Sequence, residues 1–514
     1  MRRLSLLVLL CSLASATVYT VKPSGGNFTT IQACSNTAVA GDTCTIYAGT
    51  YVGWTQNTNG SAGHPITFIA NTGDTVNVSS GATISSRSYI VISGLNFTQT
   101  TGIAITGDNT TAHNVITHNT FKTQVLEIPS GGASTGSDNV ISYNVADLST
   151  HSDNTPGFDV YGDRNIFDHN EIKNGEGDCH DLGGQNVVVR YTTCHDINGA
   201  SGEHIDFLQV IGGVSPTLTF SLIEGNTMQH CYNDGGNCHS MLIRNGASGT
   251  SDTVIYRYNY TQNIDGSGPG YGGGSGENVP NGTIYNNTFN FSSLESQNGG
   301  CPEIWDSPVA PNAQVLNNIC YNTTTGGWSP TGSPSSGLFG NGNIAYTTGY
   351  SGSWNAPYSA ESTYATLKNV NPLFANYPTD GTLQASSPAR NAGVALTTTN
   401  GSGSTSTTLI LTNSHFFQPG WGSTDTPVNG DCIRVGASTT TCITAINYST
   451  NTLTVSPAIS WTNGQSVYLY SDSSGIVRQP SGNPDIGAFP YSSSPASIGS
   501  TLSTGSQYKG GEFN

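Results

Sequence analysis

Charge is what this sequence has least of. Only 9% of its 514 residues are Asp, Glu, Lys or Arg, and the balance is acidic, with 15 Lys+Arg against 32 Asp+Glu and a formal net charge of −17. No basic run occurs, which excludes nucleic-acid binding through phosphate neutralisation. The same balance repels a polyanion unless cations or a local basic cleft intervene. Long apolar runs are missing too. Leu4 to Leu13 is too short to span a bilayer and no later stretch is long enough, so no membrane insertion is expected. Apolar residues at i, i+3, i+4 and i+7 are nearly absent, which argues against a helical fold. So are CxxC and HxxxH spacings, without which zinc is a poor explanation for the Cys-His adjacencies.

What is present starts with an export signal. Arg2 and Arg3 supply positive charge, Leu4 to Leu13 an apolar stretch, and Ala14-Ser15-Ala16 a small-residue cleavage site. Residues 1–16 are therefore read as a signal peptide, and the mature chain is expected to be secreted and extracellular. Of 11 cysteines, all but Cys11 fall in sequence-near pairs: Cys34 with Cys44, Cys179 with Cys194, Cys231 with Cys238, Cys301 with Cys320, Cys432 with Cys442. In an exported chain this suggests local disulfides, with Cys194–Cys231 a rival pairing if those residues stack on adjacent turns.

The remaining apolar residues come in short β-type runs that resemble one another. Examples are "HNVITHNTF" (113–121), "DNVISYNVAD" (138–147), "RNIFDHNEI" (164–172), "FSLIEGNTM" (220–228) and "AQVLNNICYN" (313–322). Most carry an apolar-x-apolar core, a polar residue or two, and an Asn. One such unit cannot bury its own apolar face. Stacked units bury a continuous core, and Asn ladders at the corners can satisfy turn backbone groups, so a parallel β-solenoid is expected.

The ends of the chain sharpen this. "YTVKPSGGNFTTIQACSNTAVAGDTCTIYAGTYVG" (19–53), "NPLFANYPTDGTLQASSPARNAG" (371–393) and "PDIGAFPY" (484–491) resemble the N-terminal cap and C-terminal end of secreted proteins of the pectin-lyase-like superfamily. The resemblance implies an all-β, right-handed parallel β-helix with an N-terminal cap, over residues 17–397. Residues 398–472 interrupt the ending with strand-like runs of their own and are read as a small β insert. The β-helix region then closes over 473–491, and the Ser/Gly-rich 492–514 is expected to be a disordered tail. This architecture carries lyases, hydrolases, epimerases and adhesins, so it fixes no activity. The chain lacks the Arg-rich signature of pectate lyases and the Asp pair of polygalacturonases. "GFDVYGD" (157–163) resembles a motif of alginate epimerases without the His that should follow its Asp.

Titratable residues concentrate in one region. Seven of the 11 histidines lie between His151 and His239: His151, His169, His180, His195, His204, His230 and His239. Gly177-Asp178-Cys179-His180, Gly202-Glu203-His204 and Gly236-Asn237-Cys238-His239 look equivalent on successive turns. Equivalent positions of a parallel solenoid lie about 4.8 Å apart, so His180, His204 and His239 are expected to form one column. Asp206 should share the face of His204, two residues away.

Three chemistries follow. Polysaccharide cleavage by β-elimination needs a base, His204 or a neighbour, and positive charge on the uronate from Arg244, Arg190, Lys173 or a metal. Glycoside hydrolysis needs paired carboxyl groups, such as Asp181, Glu203 and Asp206. Metal binding would draw on Asp178, Asp181 and Glu203, whose oxygens suit Ca²⁺. The same column can also be a structural ladder. The expected catalytic set is His204, Asp206, His180, His239 and Arg244, with Arg190, Lys173 and the sugar-stacking Trp305 binding substrate. The leading expectation is a monomeric lyase acting on an acidic polysaccharide. Glycoside hydrolase and non-enzymatic carbohydrate-binding protein or adhesin are the alternatives.

Overall fold

The repeated Asn explains how one coil sits on the next. A computed structural model describes residues 16–129, 136–150, 155–199, 205–210, 217–233, 238–243, 252–264, 266–271, 279–291, 303–304, 312–322, 339–346, 370–377 and 381–491. In each described repeat the strand ends in a residue with left-handed backbone, such as His118 (φ +57°), Tyr143 (+54°) or His169 (+54°). The following Asn then turns into the corner. Asn119 accepts from Leu95 N (2.9 Å) through Oδ1 and donates to Ile92 O (3.0 Å) through Nδ2, while Asn144 Oδ1 accepts from Asn119 N at 3.0 Å. Asn carries both a donor and an acceptor, so each copy satisfies backbone groups of the coil before it. The ladder runs through Asn170, Thr192, Asn226, Asn259, Asn287, Asn318 and Asn343. Only Thr192 breaks the pattern, accepting from Asn170 N at 3.4 Å.

Left-handed backbone is unfavourable for residues with a Cβ. Outside the corner, the side chains that adopt it stack on one another: His118 on Tyr143 (5.0 Å between ring centroids), Tyr143 on His169 (4.8 Å), His169 on Tyr191 (5.0 Å).

The result is a parallel β-helix. A first sheet stacks Val18–Val21, Thr43–Ile46, Ile66–Ala70 and their successors to Phe339–Asn341, each pair parallel and in register. A second sheet, with 12 strands among the described residues, runs from Gly49–Tyr51 to Ile344–Tyr346. A third includes Gln124–Ile128, Phe158–Tyr161, His180–Gln185, Gln209–Val210 and Cys238–Ile243. The corner between third and first sheets is tight: a Cβ on Gly162 would lie 1.9 Å from Gly136 O, so only glycine fits there. The core is apolar, from Val21 to Ala345. Ladder rungs stand 25 or 26 residues apart around Asn144, then 34, 33, 28 and 31 apart from Thr192 to Asn318, so the middle coils carry the longest loops.

Thr397–Thr398, Gly403–Ile410, Cys432–Val435, Thr439–Asn447, Thr452–Trp461 and Ser466–Ser471 form a separate six-stranded antiparallel sheet, which a Thr399–Leu411 bridge closes on itself. This small barrel packs Leu409, Phe416, Phe417 and Trp421 against Ile166, Val188, Leu222 and Ile255 on the outer face of the first sheet. Buried charge crosses the contact. Arg257 donates to Asp431 at 2.7 Å and to Glu224 at 2.8 Å, and all three are fully buried. Burial opposes the charge on Arg257, but Asp431 and Glu224 outweigh it and hold the guanidinium protonated.

Four of the five cysteine pairs are disulfides as expected: Cys34–Cys44, Cys179–Cys194, Cys231–Cys238 and Cys432–Cys442. Cys301, proposed partner of Cys320, lies outside the described residues. The rival Cys194–Cys231 pairing is ruled out because Cys194 stacks on Met228, and Cys231 on Ile197. Among the described residues no helix is long and apolar enough to cross a membrane.

Candidate active site

On the third sheet, successive strands place an acid at the same point. Register sets Glu127 beside Asp159, Asp159 beside Asp181, and Asp181 beside Gln209. Strand alternation sends their neighbours Leu126, Phe158, Val160 and Leu182 into the core, so the acids form a row on the outer face. Tyr161 shares that face, two residues from Asp159. A second row begins at the adjoining corner. Asp206 N donates to Asp178 Oδ1 at 2.6 Å, and Asp206 pairs in register with His239, whose Nδ1 lies 2.9 Å from Asp206 Oδ1.

These groups repel one another's charge. Asp159 is pushed up to about 6, by burial first and then by Glu127. Asp178 is held well above the ordinary carboxyl range by burial, by the charges of Asp206 and Asp181, and by a hydrogen bond to Asp181. The Tyr161 phenol is raised by burial and by Asp181, Asp159 and Asp178. Every charge acting on Asp159 and Tyr161 is a carboxylate. A carboxyl group in such company keeps its proton to higher pH, because ionisation would add a further like charge to a poorly solvated site. The hydrogen bond to Asp181 acts in the same direction on Asp178.

The Asp206–His239 pair has a different use. Asp206 is fully buried, while the His239 side chain keeps 13% of its exposure. A carboxylate bonded to Nδ1 orients the imidazole and favours the tautomer that carries its proton there.

The expected column of histidines is not what the register produces. Asp178, Asp206 and His239 are the residues in contact, and His180 stands two residues further along its strand than Asp178. Likeness between the Cys-His pairs misled: Cys238 aligns with Ile205, whereas Cys179 N bonds Asp206 O, so the two cysteines occupy different rungs. His180 is a core residue with no exposure, packed among Phe158, Phe167 and Phe207 at 5.3, 5.6 and 5.0 Å. Its Nδ1 bonds Phe207 O at 2.9 Å, and burial pulls it down to about 4. It is neutral and faces away from the acids.

Two of the expected cations, Arg190 and Lys173, lie elsewhere. Arg190 lies on the first sheet beneath the barrel, bonded to Asp168 (2.8 Å) and Ser473 (3.1 Å). Lys173 lies on the second sheet, 2.6 Å from Glu171, which also meets His195 Nε2 at 3.1 Å. His195 is raised chiefly by that bond to Glu171. Its Nδ1 meets Asp196 (2.7 Å), which in turn bonds His230 (3.0 Å). Glu203, His204, Arg244 and Trp305 lie outside the described residues. Among the described residues no three His, Cys, Asp or Glu side chains are arranged to hold a metal ion, and Glu203, the third residue of the Ca²⁺ set considered with Asp178 and Asp181, lies outside them.

Sequence reasoning missed Glu127, Asp159, Tyr161 and Gln209. A signal existed in "VLEI", "FDVY" and "HDLG", where one acid repeats inside three apolar strands.

No family model matches the chain, and no curated protein matches it. Among solved structures it is similar to the polysaccharide lyase Pedsa3628 of family PL6 from Pseudopedobacter saltans, at 15% identity over 61% of this chain and 90% of that one, with a TM-score of 0.36. Pectate lyase Pel9A is similar at 15% identity over 75% and 93%, with a TM-score of 0.36. So is XylC in complex with xylose, at 10% identity over 91% and 98%, with a TM-score of 0.40. Similarity at this level does not reach to activity.

Proposed function

We propose that the chain is a secreted carbohydrate-active enzyme that hydrolyses a glycan at the carboxyl row of the third sheet. The observation that carries this reading is the row of Glu127, Asp159 and Asp181 in register on adjoining coils, with Asp159 pushed up to about 6 by burial and by Glu127. Glycoside hydrolysis needs one protonated acid and one ionised partner. Asp159, with its proton held to about pH 6, serves as the acid that protonates the glycosidic oxygen. Asp181, in register beside Asp159 on the next coil, is assigned the role of the ionised partner. Neighbouring rungs stand about 4.8 Å apart, which suits the ~5–5.5 Å carboxyl separation of a retaining mechanism. The glycan class itself rests on the resemblance of the chain's ends to the pectin-lyase-like superfamily.

β-Elimination on an acidic polysaccharide is a second reading, favoured by the Asp206–His239 pair, which supplies a base. It also requires a cation for the uronate carboxylate, and Arg244, one residue beyond Cys238–Ile243, is the candidate. A panel of neutral and acidic polysaccharides separates the readings. New reducing ends without an unsaturated product support hydrolysis, and the ultraviolet absorbance of an unsaturated uronide supports elimination. Binding without any product would sink both and leave a non-enzymatic carbohydrate-binding protein.

A further inference from the structure

The site sits on two disulfides. Cys179 directly follows Asp178, and Cys238 directly precedes His239. Their partners, Cys194 and Cys231, lie on second-sheet strands Thr193–Gly199 and Thr227–Asn233. All four cysteines are fully buried. Cys179–Cys194 therefore ties the corner that carries Asp178 to a second-sheet strand that follows it, and Cys231–Cys238 ties the corner that carries His239 to the strand before it. The intervening coil brings Asp206 and has no cysteine. It hangs between the two staples, through Asp206 N to Asp178 Oδ1 (2.6 Å) on one side and Asp206 Oδ1 to His239 Nδ1 (2.9 Å) on the other.

We propose that Cys179–Cys194 and Cys231–Cys238 are positioning elements of the acid–base site, in addition to whatever they contribute to stability. This rests on the catalytic reading above. The middle coils are the longest, and the Asn ladder lies at the corner between the first and second sheets, away from the corner that carries Asp178 and His239. A covalent link beside Asp178 and beside His239 supplies a fixed point there, where the acids crowd. The chain holds its own controls. Cys34–Cys44 and Cys432–Cys442 each span 10 residues, between the 15 of Cys179–Cys194 and the 7 of Cys231–Cys238. Loop-closure entropy depends only weakly on length, so all four make comparable contributions to stability. Only two adjoin the acids.

The test compares four double variants of the full chain, each replacing one disulfide by two alanines. Expected is a similar fall in Tm for all four. Loss of kcat, about 10–100-fold with KM nearly unchanged, should appear only for the two site pairs, as a small misplacement of reacting groups produces. Nuclear magnetic resonance provides a readout that needs no substrate. In C179A/C194A the Asp178 carboxyl should titrate closer to the ordinary range, and in C231A/C238A the Nδ1 proton of His239 should lose its downfield signal. Unchanged signals in the site pairs, or equal kcat losses in all four, would overturn the proposal. If the wild type cleaves no glycan, the catalytic reading fails but the resonance arm still decides the positioning role. If one site pair does not fold, the other carries the test.

Discussion

Two faces of the same β-helix bury acids, and they do it in opposite ways. Beneath the barrel, four acids meet arginines: Glu224 and Asp431 share Arg257, Asp168 has Arg190, and Asp472 has Arg478. Burial alone would raise Asp168 and Asp472, but in Asp168 the His169 hydrogen bond and Arg190, and in Asp472 Arg478 and Arg257, hold the carboxyls below the ordinary range. On the third sheet, Asp159 and Asp178 meet carboxylates instead, and burial and repulsion push them up. The first arrangement holds Asp168 and Asp472 ionised beside their arginines, although burial raises Glu224 despite Arg257, and it joins two structural units. The second keeps protons available, and that is what marks a site for chemistry.

The sharpest way to break this contrast is to neutralise one acid on each face. On the third sheet, Asp159→Asn or Asp181→Asn should lower turnover of the identified glycan by roughly 10²–10⁴-fold, the range of a general acid or base, without loss of thermal stability. Beneath the barrel the expected loss is structural. Arg257→Ala leaves Glu224 and Asp431 buried without their cation and should cost about 3–5 kcal/mol in denaturant unfolding.

How much of this was legible beforehand differs between fold and site. The Asn of each repeat has one structural job at one corner, so its recurrence in sequence translated directly into coils, and four disulfides followed from spacing. The site depends on which rung each residue occupies, and coil length varies through the middle of the chain. Aligning Cys179-His180 with Cys238-His239 by likeness put His180 two places out of step and gave a core residue a catalytic role. Arg190 and Lys173 were assigned by charge alone, which says nothing of the sheet a strand belongs to. Asp206 and His239, both in the expected set, do meet, in register on adjacent coils and 2.9 Å apart.

Smaller effects follow from protonation. His180, at about 4 in the fold against an ordinary 6.5, binds fewer protons folded than unfolded. Stability therefore falls as pH drops from 6.5 to 4, by about 3 kcal/mol at the acid end. His180→Phe should remove that acid sensitivity in thermal melts, and turnover should survive. Asp159 has the reverse sign. Raised to about 6 from 3.8, it binds more protons folded than unfolded, so stability falls as pH rises from about 4 to 6. Asp159→Asn should stabilise the protein at pH 7 by on the order of 1 kcal/mol, after discounting for partial exposure, and by nothing at pH 3.5. A variant that gains stability and loses activity at one position is the signature of a poised group.

The most direct test of the account is the titration of Asp159 itself, followed by carbon-13 resonance of its carboxyl and assigned against Asp159→Asn. A midpoint near 6 is expected. A midpoint near the ordinary value of about 3.9 would contradict the claim that this face holds protons where the opposite face holds charge.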